Sequence, residues 1–594
     1  MRRIRPPAFL KTRIHRHVTA LPAWARPGQP GDPTDGAKRV LSMARVAVVL
    51  LTVVLVGLLG RVVQLQIAPP EPIAKLLNSQ HSSTVIRGRR GTILDRRGQL
   101  LAVTRVAKRL FVDTALILDR NTFSEHVGYG LGYEPFWVEK TISRRSPNRY
   151  IVLDHRLSNQ KLERFKELNL PGLAIESVLV RDYPNGPLAG QLIGFVGRDG
   201  VGLEGIELAA QDKLASQLGR YQYSRDAYGQ PLWVEAESYK PHQDGRSVRL
   251  TLDISIQSIA EHHLAEAVSS YGAESGQLLV MEPQTGAILA MAHVPRFDPN
   301  DYGASPPANR RNRLVTDVFE PGSIFKPILW AAALHLGVVQ PEQRIDCSTR
   351  GLHRTSGGRW IRDAHPHGEL SWKQVLVQSS NIGMAIIGQK IGAKRMETVV
   401  RSFGFGQPTG SGLPGEVSGI VHPLKRWDHY SITSIPMGQE IGVTGLQMTR
   451  AFCVFANGGL LPQPTYTTAD LANGPPALIR HRVLPHDISI QTRRMLRRVV
   501  TEGTGRKADS DMYALFGKTG TAQLPNLEHG GYHDDQYVAS FLAGAPLEFP
   551  AVVVGCFIHK PDKSIGHYGG TVAAPAVKRV IEESLTYLGI PTEQ

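Results

Sequence analysis

Residues 321–336 read PGSIFKPILWAAALHL. Pro321-Gly322 breaks the chain, and an apolar run follows from Ile324 to Leu336, stopped by Gly337. Such a run predicts a buried helix, with Pro327 harmless in the first turn, where its missing N–H costs no intrahelical bond. Ser323 then stands at the helix N-terminus, where free N–H groups and the helix dipole favour developing negative charge. Lys326 lies three residues on, one turn away on the same face, within reach of the serine hydroxyl. Taken alone, these residues are equally an N-cap followed by a solvated lysine.

Two more short motifs downstream favour chemistry. Ser379-Ser380-Asn381 is a Ser-x-Asn triplet, and Lys518-Thr519-Gly520 is the single Lys-Thr-Gly of the chain. A serine hydroxyl is a poor nucleophile until a base takes its proton. An ordinary lysine, of pKa ~10.4, is neutral in only about one molecule in 2,500 at pH 7. Burial and a second cation both lower that pKa, and Lys518 is the candidate cation. Ser379 can bridge the two amines and relay a proton, and Asn381 offers an amide to a substrate peptide bond. A strand carrying Lys518, Thr519, Gly520 and Thr521 suits an extended substrate bound by edge pairing. Gly520 leaves room for close backbone approach. The Thr519 and Thr521 hydroxyls with Lys518 suit a substrate carboxylate, and the Ser323 and Thr521 N–H groups form a natural oxyanion-hole pair. Ser323, Lys326, Ser379, Asn381 and Lys518 are thus the catalytic candidates, and Thr519, Gly520 and Thr521 the substrate-binding ones. No metal or cofactor is called for.

Each motif is weak by itself. Ser158-Asn159-Gln160-Lys161 is also Ser-x-x-Lys and Ser146-Pro147-Asn148 is also Ser-x-Asn, but neither follows a turn into an apolar helix. The signal lies in the order and setting of the three. Gly517-Lys518-Thr519 resembles the end of a phosphate loop, but Met512 stands where that loop needs glycine. No Gly-x-Ser-x-Gly elbow exists for a Ser-His-Asp hydrolase. His365-Pro366-His367 is not a helical metal motif.

Around this core the pattern is mixed. Ile256, Ile259, Ala260, Leu264, Ala267 and Val268 recur at helical spacing. Two apolar runs, 276–282 and 287–293, flank Pro283-Gln284-Thr285-Gly286, a hairpin signature. A second strand pair, 537–545 and 551–559, precedes an amphipathic closing helix over 573–588. Leu250 to Asp253 reads as a strand end. Strands from both ends should meet in one antiparallel sheet with helices on it, an α+β fold. Residues 67–240 show short mixed elements, among them a helix over 158–168 and a turn at Pro184-Asn185-Gly186-Pro187. They hold no catalytic constellation.

The 594 residues exceed one ordinary core. Residues 1–45 hold ten Lys/Arg and two Asp, a net +8, half of the chain's +16. Residues 46–60, VAVVLLTVVLVGLLG, are uncharged, and apolar flanks extend them to a membrane helix over 42–66. A buried globular helix and a cleaved signal peptide are the alternatives. The basic tail, residues 1–41, is assigned to the cytoplasm, which puts everything after residue 66 outside the membrane. Residues 17–37, rich in Pro and Gly, are read as disordered. Without a basic helix interleaved with aromatics, nucleic acid is not the expected partner. Cys347, Cys453 and Cys556 are far apart and read as buried small hydrophobes.

The three motifs in this order resemble those of penicillin-binding proteins and β-lactamases. The wider match is to class B penicillin-binding proteins, the monofunctional D,D-transpeptidases. Residues 90–98 (RGTILDRRG) with Leu101-Ala102, Arg181-Asp182-Tyr183-Pro184 and residues 202–207 (GLEGIE) resemble that family's pedestal. Within the class, residues 312–327 (NRLVTDVFEPGSIFKP), the Ser379-Ser380-Asn381 triplet and residues 537–541 (YVASF) are similar to the cell-division type, FtsI. Met437-Gly438-Gln439-Glu440 is closer to some non-division members. The resemblance implies a serine β-lactamase-like transpeptidase domain over 245–590, after a non-catalytic pedestal over 67–244. It implies Ser323 as acylated residue, Lys326 as base, and a D-Ala-D-Ala stem peptide as donor. It also implies acylation by penicillin and other β-lactams, and work on lipid II-derived glycan beside an FtsW-like SEDS glycosyltransferase and other divisome membrane proteins. Elongation or sporulation members of the class are one alternative, and a β-lactam sensor without turnover is another.

Overall fold

The computed structural model describes residues 33–72, 81–226, 231–234, 236–469, 481–526 and 528–593. The chain forms two compact units, residues 1–84 with 221–239, and residues 85–220 with 240–594. In the first, helix α1 (Pro33–Ile67) is 35 residues long. Its apolar window reaches a mean hydropathy of 2.7, and none of it is buried. At 1.5 Å per residue α1 measures about 52 Å, against a hydrocarbon core of ~30 Å. Among the described residues it is the one helix long and apolar enough to cross a membrane. It begins nine residues before the expected 42, so residues 33–37 are helical rather than disordered; proline suits a first helical position. The rest of 17–37 lies outside the described residues. The same unit holds a small sheet of His81–Ile86, Gly219–Arg225 and Pro231–Val234.

The second unit starts with a sheet built on β1 (Leu100–Asp113). Helices α2 (Arg120–Leu131) and α3 (Pro135–Arg145), strand β2 (Tyr150–Asp154), helix α4 (Asn159–Leu168) and strand β3 (Leu173–Asp182) follow. β3 pairs antiparallel with β1 from Val103↔Asp182 to Val112↔Leu173. Sequence patterning misses these long strands because cations stand on both faces of β1, Arg105 and Arg109 on one and Lys108 on the other, so no apolar alternation shows. The Ser158 side chain caps α4 by accepting from the Lys161 N–H at 3.3 Å, so that second Ser-x-x-Lys is a helix start. One buried carboxylate joins the three pedestal-like segments: Glu207 accepts from Arg90 Nε and Arg181 Nε, each at 2.6 Å, and from the Tyr183 hydroxyl at 3.3 Å. Charges this buried are tolerated because they are paired, the carboxylate accepting from both guanidinium groups.

The remainder is a five-stranded antiparallel sheet between two helical layers. Its parts, in chain order, are α5 (Ile254–Ser270), β4 (Ser275–Met281), β5 (Ile288–Val294), α6 (Lys326–His335), α7 (Asn381–Ile391), α8 (Gly445–Ala456) and α9 (His486–Thr501). Strands β6 (Phe516–Pro525), β7 (Tyr532–Ala545) and β8 (Val552–His559) and helix α10 (Ala574–Tyr587) complete it. The strand order β5-β4-β8-β7-β6 brings both predicted hairpins into one sheet. The expected strand end near Leu250 falls at Val248–Arg249, and Asp253 caps α5 instead. Every residue of β4 is buried. Alternation sends Leu278 and Val280 into the core with α5 and α10, and Leu279 and Met281 into the larger core with α6, α7 and α8. All three cysteines are free and buried, as their isolation suggests.

His293 of β5 pairs across the sheet with Gln277, and neither ring nitrogen has a hydrogen-bond partner among the described residues. Burial pushes its pKa down to about 4; Asn312 and Asp317 pull it up, and Arg313 pushes it down. The unfolded chain therefore takes up this proton near pH 6.5, and the folded one only near 4. Stability is complete above pH 6.5 and declines as pH falls through that window, by about 3 kcal/mol for this group. Denaturant midpoints from pH 7.5 to 4 should show this decline, and it should shrink but not vanish in His293→Gln, because burial draws His559 down to about 4 as well.

Candidate active site

Gly322 opens a single 3-10 turn (Gly322–Phe325) that carries Ser323, and α6 begins only at Lys326. Ser323 thus sits one turn before the α-helix, not at its first residue as the apolar run suggests. Gly322 has φ +55°, and its N–H donates to Gly438 O at 2.9 Å. A Cβ on Gly438 would lie 2.1 Å from Gly322 O, so glycine is required where the 430s loop crosses the serine turn. Lys326 is fully buried.

The second motif lies in the turn before α7. Ser379 has φ +56°, a strained conformation for a residue other than glycine. Lys326 Nζ donates to Ser379 O and to Asn381 Oδ1, both at 2.6 Å, and to Ser379 Oγ at 3.2 Å. Lys518 Nζ donates to the same Oγ at 2.8 Å and to Thr519 O at 3.2 Å. The serine hydroxyl thus sits between two buried lysine amines. The Ser323 hydroxyl makes no hydrogen bond among the described residues, which is common for catalytic pairs before substrate binds.

Burial draws Lys326 down to about 7, and the Asp363 carboxylate pulls it back up. Burial also holds Lys518 well below its ordinary value, and the Lys326 charge lowers it further. The mutual repulsion expected from the sequence is present, each ammonium opposing the charge of the other, and it adds to the effect of burial.

Asp363 is the functional residue that sequence patterning misses. Its Oδ2 accepts from Ser380 Oγ at 2.6 Å, and its Oδ1 from the N–H groups of Asn381 at 2.5 Å and Ile382 at 3.0 Å. Ser380 in turn caps α7, accepting from the Gly383 N–H at 3.0 Å. A buried carboxylate thereby fixes the turn that presents Ser379 and Asn381. Nothing in a lone aspartate 16 residues before Ser379 signals this.

The third motif lies on β6, the last strand of the sheet, whose outer margin has no strand partner among the described residues. Lys518, Thr519, Gly520 and Thr521 pair inward with Leu542, Phe541, Ser540 and Ala539. Thr519 Oγ1 lies 2.6 Å from Thr504 Oγ1, and Thr521 Oγ1 accepts from the Gly569 N–H at 3.1 Å. A Cβ on Gly520 would meet Ser540 Oγ at 2.4 Å and Ile324 Cγ2 at 2.9 Å. Gly520 therefore makes room for the serine turn itself rather than for substrate. Ser323, Ser379, Asn381, Thr519 and Thr521 line one cleft of about 670 Å³, with Lys326 and Lys518 beneath Ser379. Among the described residues His262, His263 and Glu266 could approach a metal ion, but they lie on α5. Arg579 pairs with Glu266 at 2.6 Å and Glu583 holds His263 Nε2 at 2.7 Å.

A serine in the turn before a buried helix, beside two buried lysines and an open strand margin, is the arrangement of a serine acyl-transferase of the penicillin-recognising kind. Residues 276–582 match the penicillin-binding protein transpeptidase domain, and residues 85–250 the penicillin-binding protein dimerisation domain. Stage V sporulation protein D of Bacillus subtilis is 33% identical over 84% of this chain and 78% of its own length. Peptidoglycan D,D-transpeptidase FtsI of Escherichia coli is 30% identical over 90% of each. The crystal structure of penicillin-binding protein 3 from Mycobacterium tuberculosis, complexed with aztreonam, superposes with a TM-score of 0.64 at 26% identity, covering 86% of this chain and 98% of that one. The chain belongs to the penicillin-binding protein family, class B, the D,D-transpeptidases of peptidoglycan.

Asp363→Ala removes a buried carboxylate that accepts three hydrogen bonds and leaves the Ser380 hydroxyl proton without its acceptor. Unfolding by denaturant should show a loss of about 2–4 kcal/mol. An unchanged midpoint would mean that the turn holds itself without Asp363.

Proposed function

We propose that Ser323 is the residue acylated by a D-Ala-D-Ala stem peptide and that Lys326 is its base. The observation that carries this is the shared hydroxyl of Ser379, held by both lysines in a site they enter fully buried. A lysine near 7 is neutral often enough at physiological pH to accept the serine proton. Lys326 must release Asn381 or Ser379 and turn toward Ser323; Ser379 can then pass protons between the two amines. The donor peptide lies extended along the outer margin of β6, its carboxylate toward Thr519 and Thr521. The N–H groups of Ser323 and Thr521 stabilise the tetrahedral oxyanion. D-Alanine leaves, and an amine of a neighbouring stem peptide accepts the acyl group. β-Lactams stop at the first step.

The chain is further proposed to work at the division septum, anchored by α1 with its N-terminus in the cytoplasm and its catalytic unit outside. The segment 312–327 and the Ser379-Ser380-Asn381 triplet support that role, and with it an FtsW-like glycosyltransferase as neighbour. A sporulation role is the second reading, favoured by the 33% identity to the stage V protein against 30% to FtsI. A fluorescent fusion in the native host separates them: septal placement in every dividing cell supports division, and placement confined to sporulating cells supports the other.

Ser323→Ala should abolish labelling by fluorescent penicillin, with the adduct of the unaltered chain mapped to Ser323 by mass spectrometry; an adduct elsewhere removes Ser323 from the role. Lys326→Ala should slow acylation by at least ~10². Because the neutral amine is the active form, the acylation rate of the unaltered chain should rise with pH and reach half its plateau near 7. A rate that is flat from pH 6 to 9 contradicts Lys326 as base.

A further inference from the structure

We propose that Glu320 receives the ammonium group of the acceptor peptide in the second half of the reaction, a role that rests on the transpeptidase assignment above. An amine acceptor of ordinary pKa is a cation at neutral pH. The cleft must hold that cation beside the acyl-serine and take one proton before nitrogen can attack. Among the residues lining the cleft, Glu320 is the single carboxylate, whereas Arg506 and Lys507 are its other fully charged groups. Glu320 stands three residues before the nucleophile, so the turn that places one also places the other.

The carboxylate is built in. Its Oε1 accepts from the Glu440 N–H at 2.7 Å, and its Oε2 from the Tyr532 hydroxyl at 2.9 Å. Two such bonds leave about half of a carboxylate's lone-pair sites free. It has no cationic partner among the described residues, although most carboxylates this buried are paired. Burial, aided by the nearby Glu440 charge, raises its pKa, while its two hydrogen bonds oppose the shift. A carboxylate with a raised pKa is a better proton acceptor.

The balance is complete with groups already present. The acceptor ammonium gives one proton to Glu320, leaving an amine whose lone pair forms a C–N bond to the acyl carbon. The C–Oγ bond to Ser323 breaks, and the second nitrogen proton passes to Ser323 Oγ by way of Lys326. Amide, free serine and protonated Glu320 result, and Glu320 returns its proton to solvent through the open cleft.

Glu320→Gln keeps the shape and both anchoring contacts while removing the charge. The full chain is supplied with a D-alanyl thioester donor and one of two acceptors: D-alanine amide, with a cationic amine, or methoxyamine, which is uncharged at neutral pH. Partition of the acyl-enzyme between aminolysis and hydrolysis is read for each. In Glu320→Gln, aminolysis by the cationic acceptor should fall about tenfold or more relative to hydrolysis, and aminolysis by methoxyamine by less than about threefold. Equal loss for both acceptors, or loss for neither, overturns the proposal. Penicillin acylation of each preparation is the second measurement. Failure of the unaltered chain to form an acyl-enzyme sinks the transpeptidase assignment itself, whereas a normal acyl-enzyme with unaltered acceptor preference sinks only Glu320.

Discussion

Two buried lysine amines share one serine hydroxyl at the floor of the cleft. With Ser379 Oγ at 3.2 Å from one and 2.8 Å from the other, the two nitrogens are no more than 6.0 Å apart. Two unit charges at that separation repel by about 3 kcal/mol at an effective dielectric of 20, worth roughly two pKa units. Added to the burial that already draws both amines down, this repulsion keeps the site from holding both as cations at neutral pH. The fold exists to hold this arrangement. α6 delivers one amine and β6 the other, and the turn before α7 supplies the hydroxyl that keeps them in communication.

Such a site is stable only if its surroundings are rigid, because each buried polar group must keep its partner. Ser379 is held in a left-handed conformation on one side by Asp363 and the α7 cap, and on the other by Lys326 through its carbonyl. The strain is local, while the support comes from a core that runs from the helices through both faces of the sheet. The buried Glu207 cluster does for the pedestal what Asp363 does for the active site, by gathering chain segments far apart in sequence around one carboxylate.

Elements whose signal is local were legible in the amino-acid order. α5, the β4–β5 hairpin, β7, β8 and α10 announce themselves by apolar period and by Pro-Gly turns. The three motifs stand out because each fits within four residues. Features made by distant partners were not legible. β1 carries cations on both faces and β3 exposes Ser177 and Leu179, so neither shows a clean apolar alternation. Asp363 and Glu320 look like ordinary acids until the loops around them close. The 3-10 turn at Ser323 differs from an α-helical start by a few degrees of backbone, below what an apolar run encodes. Gly520 was legible as a necessity but not in its reason, because the atoms it would strike belong to the neighbouring strand, at Ser540, and to the serine turn almost 200 residues away, at Ile324.

The two glycines that let the serine turn touch its neighbours have a consequence for inheritance. Gly438 and Gly520 each abut that turn so closely that any side chain would collide with it. Variation at either is closed off, since a side chain there would displace the turn that carries Ser323. Adaptive variation is steered to the rim of the cleft, where residues such as His365, Lys507 and Tyr568 border the opening and can be exchanged without loosening the machinery behind them.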